Sequence, residues 1–109
     1  GAITLNNSGT SSSKIENTGD GNITLDNSGT STGDIINSGS ANSKIEVTNR
    51  ADTELGSTVS NKQSGKIILT NQGTITKNIT NTGAGAITLN NSGTSSSKIE
   101  NTGDGNITL

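Results

Sequence analysis

Aromatic residues, cysteine, proline, histidine and methionine are all missing from this chain of 109 residues, and apolar residues of every kind make up only 24% of it. A conventional globular core is therefore excluded, because too little apolar area is available to offset chain entropy. Without cysteine there is neither a disulfide framework nor a thiolate metal site, so any stability must come from backbone ladders and stacked side chains. No run approaches the roughly 20 apolar residues that cross a bilayer. The chain opens Gly1-Ala2-Ile3 rather than with a charged and then an apolar region, so an export signal is expected outside it. Seven basic and nine acidic residues are scattered singly. With no basic stripe and no aromatic platform, nucleic acid has nothing to bind.

What is present is asparagine, serine, threonine and glycine, a composition that in an aperiodic order reads as a disordered linker. The order is periodic. Residues 1–25 recur unchanged as residues 85–109, an offset of 84, so the chain reads as a window on a longer array. Inside that long repeat lies a shorter one. Ile3, Ile23, Ile45, Ile67, Ile87 and Ile107 are separated by 20, 22, 22, 20 and 20 residues. Two residues after each stands Leu5, Leu25, Val47, Leu69, Leu89 or Leu109, and two further on Asn7, Asn27, Asn49, Asn71 or Asn91. Strand alternation puts all three on one face. A second segment begins at Ile15, Ile35, Val59, Ile79 and Ile99 and reaches Asn17, Asn37, Asn61, Asn81 and Asn101 two residues later. A weaker column, Ser11, Ser31, Leu55, Ile75 and Ser95, hints at a third short side.

An apolar pair on one short strand cannot build a core, but winding the chain so that each strand lies on its counterpart one turn later buries a continuous strip. The expected fold is all-β: a parallel β-solenoid of about five coils of 20–22 residues, starting near residues 3, 23, 45, 67 and 87. Each coil has two or three short strands, and residues 1–109 form one continuous segment. Stacked carboxamides would then form two ladders, each amide donating to one neighbouring coil and accepting from the other. Glycine, which usually follows the Asn-x pair (Gly9, Gly29, Gly73, Gly93; Gly19, Gly39, Gly83, Gly103), is expected to supply positive φ at corners. The extra residues of the long coils, around Ala51 to Glu54 and Ser40 to Ser43, read as polar corners bulged outside the core. In the outward columns Lys14, Asp34, Thr58, Asn78, Lys98 and Glu16, Ile36, Ser60, Thr80, Glu100, like charges never stack directly.

Catalytic, metal or cofactor chemistry finds no convincing residues. Asp20, Asp26, Asp34, Asp104 and the pair Asp52 and Glu54 fall in different columns and read as solvated corner charge. Asp52 with Glu54 is the best acidic cluster, yet calcium takes more oxygens than two side chains provide. Threonines 4, 24 and 88 share an outward column that Glu46 and Ile68 interrupt, so a flat ice-binding array is missing. Asn6, Asn22, Asn78, Asn90 and Asn106 open N-x-Ser/Thr triplets, which this composition produces by chance. No enzyme and no cofactor are expected.

The motifs I-T-L-x-N-S-G (Ile3 to Gly9, Ile23 to Gly29, Ile87 to Gly93) and I-x-N-[ST]-G (Ile15 to Gly19, Ile35 to Gly39, Ile79 to Gly83, Ile99 to Gly103) resemble the repeats of filamentous haemagglutinin-like and autotransporter passenger adhesins. The resemblance implies a right-handed parallel β-helix and a stalk at a bacterial cell surface, reached by secretion. The expected function is a shaft or spacer of an extracellular adhesin or filament. A functional amyloid-like matrix fibre is the alternative, and an ice-binding or polysaccharide-acting β-helix a weaker one. Expected partners are neighbouring repeats of the same chain or identical chains stacked end to end, with any host or cell-surface receptor bound through domains outside this segment.

Overall fold

The computed structural model describes residues 3–39, 43–96, 98–103 and 105–109. All regular structure among them is β. The first coil consists of β1 (Ile3–Asn7), β2 (Thr10–Ser11) and β3 (Ile15–Asn17), the second of β4 (Ile23–Asn27), β5 (Thr30–Ser31) and β6 (Ile35–Asn37). β7 (Lys44–Asn49), β8 (Glu54–Leu55) and β9 (Val59–Asn61) form the third, and β10 (Lys66–Asn71), β11 (Thr74–Ile75) and β12 (Ile79–Asn81) the fourth. The fifth holds β13 (Ile87–Asn91), β14 (Thr94–Ser95) and β15 (Ile99–Asn101), after which β16 (Ile107–Thr108) opens a sixth turn.

Each strand pairs in parallel with its counterpart one coil away, giving three sheets in the orders β1-β4-β7-β10-β13-β16, β2-β5-β8-β11-β14 and β3-β6-β9-β12-β15. The chain is a parallel β-solenoid of about five turns, and the third side is a true sheet. Register follows the sequence columns: Ile3 lies on Ile23, Leu25 on Val47, Ile35 on Val59 and Ile75 on Ser95. Such stacking gives each short strand two neighbours, which three-residue strands need because a single pairing is marginal.

The core is one side chain deep. Ile23, Leu25, Ile35, Ile45, Val47, Leu55, Val59, Ile67, Leu69, Ile75, Ile79, Ile87 and Leu89 are buried, while the same columns are partly open in the outer coils at Leu5, Ile15, Ile99 and Ile107. Ile3 and Leu109 are 57% and 78% exposed. Position along the axis therefore decides burial, since the buried and exposed members of a column are chemically alike.

Two expectations need correction. No glycine among the described residues has positive φ; Asp52 does, at 62°. The glycines answer a different demand, the close approach of stacked backbones. A Cβ on Gly29 would sit 2.1 Å from the Gly9 carbonyl oxygen, and one on Gly93 2.1 Å from that of Gly73. Gly9, in the first coil, faces open space.

The long corner ends earlier than expected, because Glu54 already belongs to β8 and residues 50–53 join it to β7. Asp52 tolerates its left-handed conformation better than most residues with a Cβ. Of the other bulge, Ser40, Ala41 and Asn42 lie outside the described residues, as does Asp104, whereas Ser43 is buried at 1% exposure.

The charge pattern of the third-sheet columns does not extend to the first sheet, where Lys44 lies directly on Lys66. Both reach solvent, and the Lys44 ammonium is held 2.6 Å from Glu46 on its own strand. Solvent screening makes such a stack cheap.

Candidate functional site

The ten ladder asparagines all stand at the last residue of a strand, where the chain leaves the sheet for a corner. Parallel pairing cannot satisfy the backbone groups that a corner turns inward, and a carboxamide pointing into the solenoid can. In the first column Nδ2 of Asn7 donates to Oδ1 of Asn27 at 2.8 Å, Asn27 to Asn49 at 2.9 Å, Asn49 to Asn71 at 2.8 Å and Asn71 to Asn91 at 2.7 Å. In the second, Asn17 donates to Asn37 at 3.1 Å, Asn37 to Asn61 at 3.2 Å, Asn61 to Asn81 at 3.0 Å and Asn81 to Asn101 at 3.2 Å. Every step runs from the earlier coil to the later one, so each column is a chain of aligned amides whose members polarise one another.

The two ladders differ in depth of engagement. Nδ2 of Asn27 also donates to the carbonyls of Gly29 and Glu54, each at 3.1 Å, and Nδ2 of Asn71 to those of Gly73 at 3.1 Å and Thr94 at 3.2 Å. The first ladder thus ties two coils and a corner together. In the second, Asn37 reaches the Lys66 carbonyl at 3.3 Å and accepts the Gly39 amide at 3.4 Å.

The serine after three of the ladder asparagines, Asn27, Asn37 and Asn91, has a role that spacing did not reveal. Oγ of Ser28 donates to the Asn7 carbonyl, Ser38 to that of Asn17 and Ser92 to that of Asn71. In N-S-G the asparagine builds the ladder, the serine grips the coil beneath, and the glycine lets the two backbones meet. Frequent Ser or Thr between Asn and Gly was the available signal. Ser57 was missed as well: it is buried, and its hydroxyl lies 3.3 Å from that of Ser31 across the coils.

The acidic residues are dispersed. Asp34 accepts a 2.6 Å hydrogen bond from the Thr58 hydroxyl. Asp26 takes a two-pronged grip from Arg50 one coil later, Nε to Oδ1 at 2.9 Å and Nη2 to Oδ2 at 2.7 Å. That hydrogen-bonded guanidinium holds the Asp26 carboxyl below its ordinary range and raises Arg50 in turn. Asp52 and Glu54 line a shallow groove of about 650 Å³ with Ser28, Thr30, Thr53, Thr74 and Thr76. Among the described residues no three His, Cys, Asp or Glu side chains come together as a metal site would need.

Comparison with family models, with curated proteins and with solved structures finds no match for this chain. The geometry has to speak for itself. Thr4, Thr24, Glu46, Ile68, Thr88 and Thr108 form one outward column, so the threonine face is interrupted at its middle two coils. Asn6, Asn22, Asn78, Asn90 and Asn106 are all exposed. Two of them are engaged in the outer wall, Asn22 accepting the Lys44 amide and Asn78 the Lys98 amide. No described helix is long and apolar enough to span a membrane.

Proposed function

We propose that this chain is a structural shaft, a spacer in an extracellular or cell-surface filament of the kind its repeats resemble, and that it carries out no catalysis. One observation carries the reading: in two of the three sheets the side chains facing the axis, aliphatics and asparagines, are nearly invariant from coil to coil, while those facing solvent change in size and charge. A selected binding or catalytic face would concentrate its uniformity outside, where a ligand touches. Here uniformity follows the two amide ladders and the aliphatic strip, the parts that make one coil accept the next. A solenoid built this way converts sequence length into physical length.

Four coils make one 84-residue unit, so each added unit should extend the particle by roughly 19 Å at the spacing of parallel strands. Arrays of one, two and four units, imaged by electron microscopy, test this. A length that rises in equal steps at constant width supports the shaft. Collapse into globules, a width that grows with unit number, or hydrolysis of a polysaccharide by the isolated chain would remove the reading.

A further inference from the structure

Each ladder asparagine is followed by the backbone nitrogen that can destroy it. Deamidation needs only water: the nitrogen of the next residue gives up its proton and bonds to Cγ, the Cγ–Nδ2 bond breaks, and the amide leaves as ammonia, taking up a proton in exchange. Water then opens the cyclic imide to aspartate or isoaspartate. This chemistry makes asparagine one of the labile residues of proteins. A small following residue leaves the nitrogen open to react, and Asn27 and Asn37 are followed by serine, Asn81 by threonine.

The inner coils hold both reacting atoms. The nitrogen of Ser28 donates to the Asn7 carbonyl at 2.8 Å, that of Ser38 to Asn17 at 2.9 Å, Arg50 to Asn27 at 2.9 Å, Lys62 to Asn37 at 2.8 Å, Gln72 to Asn49 at 2.8 Å and Thr82 to Asn61 at 2.9 Å. The same preceding residue also donates its Nδ2 to the carboxamide of the asparagine in question: Asn37 to Asn61, for example, and Asn61 to Asn81. One asparagine thus guards the nucleophile with its backbone carbonyl and the electrophile with its side chain, one coil further on. Water is shut out as well, because Asn27, Asn37, Asn49, Asn61, Asn71 and Asn81 are all 0% exposed.

We infer that these six asparagines are dormant deamidation sites, held inert by the asparagine one coil before, so that one conversion releases the next and damage travels along a ladder in one direction. This rests on the solenoid alone and is independent of the shaft reading. The direction follows from the donor order. A carboxylate at position 61 still accepts from Nδ2 of Asn37, but it has no proton to give Oδ1 of Asn81 and sets a buried charge against that acceptor. The asparagine behind therefore stays held while the one ahead is freed. Isoaspartate goes further, since it adds a methylene to the main chain and displaces the carbonyl that holds the next nitrogen. Either product loosens a coil on which its neighbour depends for order.

The test incubates the full 109-residue chain in mildly alkaline buffer and follows each asparagine by site-resolved mass spectrometry. In the folded parent the six sites should convert roughly a hundredfold or more slowly than in the same chain unfolded by urea, because reaction waits for local opening. In Asn61→Asp, which places the product at one rung, Asn81 should convert roughly tenfold faster than it does in the parent, while Asn37 keeps its parent rate. The comparison of folded and unfolded parent stands even where the variant folds poorly. Equal rates with and without urea, an Asn81 that ignores the substitution, or Asn37 accelerated as much as Asn81 would each overturn the proposal.

Discussion

Gly9 and Gly93 sit in identical local sequence, yet only Gly93 has a coil beneath it, so the pair separates stacking from local conformation. Gly93→Ala should cost about 1 to 3 kcal/mol, because its new methyl meets a backbone carbonyl that cannot swing away. Gly9→Ala should be neutral or stabilise by up to about 1 kcal/mol through the unfolded chain. Urea denaturation of both variants checks this, and equal effects would mean that these glycines serve local geometry after all. The asparagines obey a parallel logic. Asn37→Ala strands a donor in Asn17 and an acceptor in Asn61, and should cost about 1 to 3 kcal/mol. Ser60, facing outward on the same strip, should change stability by less than about 0.5 kcal/mol when replaced by Ala. A melting temperature lowered equally by both would show that the ladder contributes nothing beyond composition.

At the scale of strands and corners, the sheets are continuous but the corners are individual, and the Arg50 grip on Asp26 clamps the corner after β7 to strand β4 of the preceding coil. Because the folded-state pKa of Asp26 is lowered, the clamp stabilises above the ordinary aspartate range of ~3.9 and is lost as pH falls through the depressed value. Asp26→Asn should therefore lower the melting temperature slightly near neutral pH and make no difference in strong acid. The pair is exposed, so the shift is small and shrinks in high salt. A difference that persists unchanged at pH ~2 would show that the variant acts through packing rather than charge. Asp26 and Arg50 stand 24 residues apart, the 22-residue coil step plus two, so Arg50 lies two residues beyond the partner of Asp26 in the register. Their meeting was not read from sequence because the columns were aligned only directly, coil on coil, and a long side chain reaches its diagonal neighbour. The third sheet was half legible: Leu55 and Ile75 announced it, while three serines in the same column concealed it.

Over the whole molecule, order depends on neighbours along one axis. The inner coils bury their aliphatic columns completely and the outermost coils only partly, although the residues are alike. Hydrogen exchange should therefore grade along the axis, slowest in β7, β9, β10 and β12 and fastest in β1 and β15. Adding one 84-residue unit should raise the melting temperature, because interfaces accumulate while the two frayed ends stay two. A flat protection profile, or a melting temperature that ignores unit number, would argue for a cooperative globule instead.

The sequence by itself determined the winding. Its period of 20 to 22 residues, its alternation of inward aliphatics and its recurring asparagines specify three facts: parallel stacking, the identity of each inward column, and the absence of a thick core. These are read from repetition, and repetition is a property of order along the chain. Tertiary structure alone decided what happens between coils. The glycines are required by carbonyls of the coil beneath, the serines of N-S-G donate across the same gap, Lys44 can lie on Lys66 because both reach water, and Asp26 meets Arg50 on the diagonal. Each of these depends on a distance between backbones that are adjacent in space and remote in sequence, and no pattern of residue types encodes that distance.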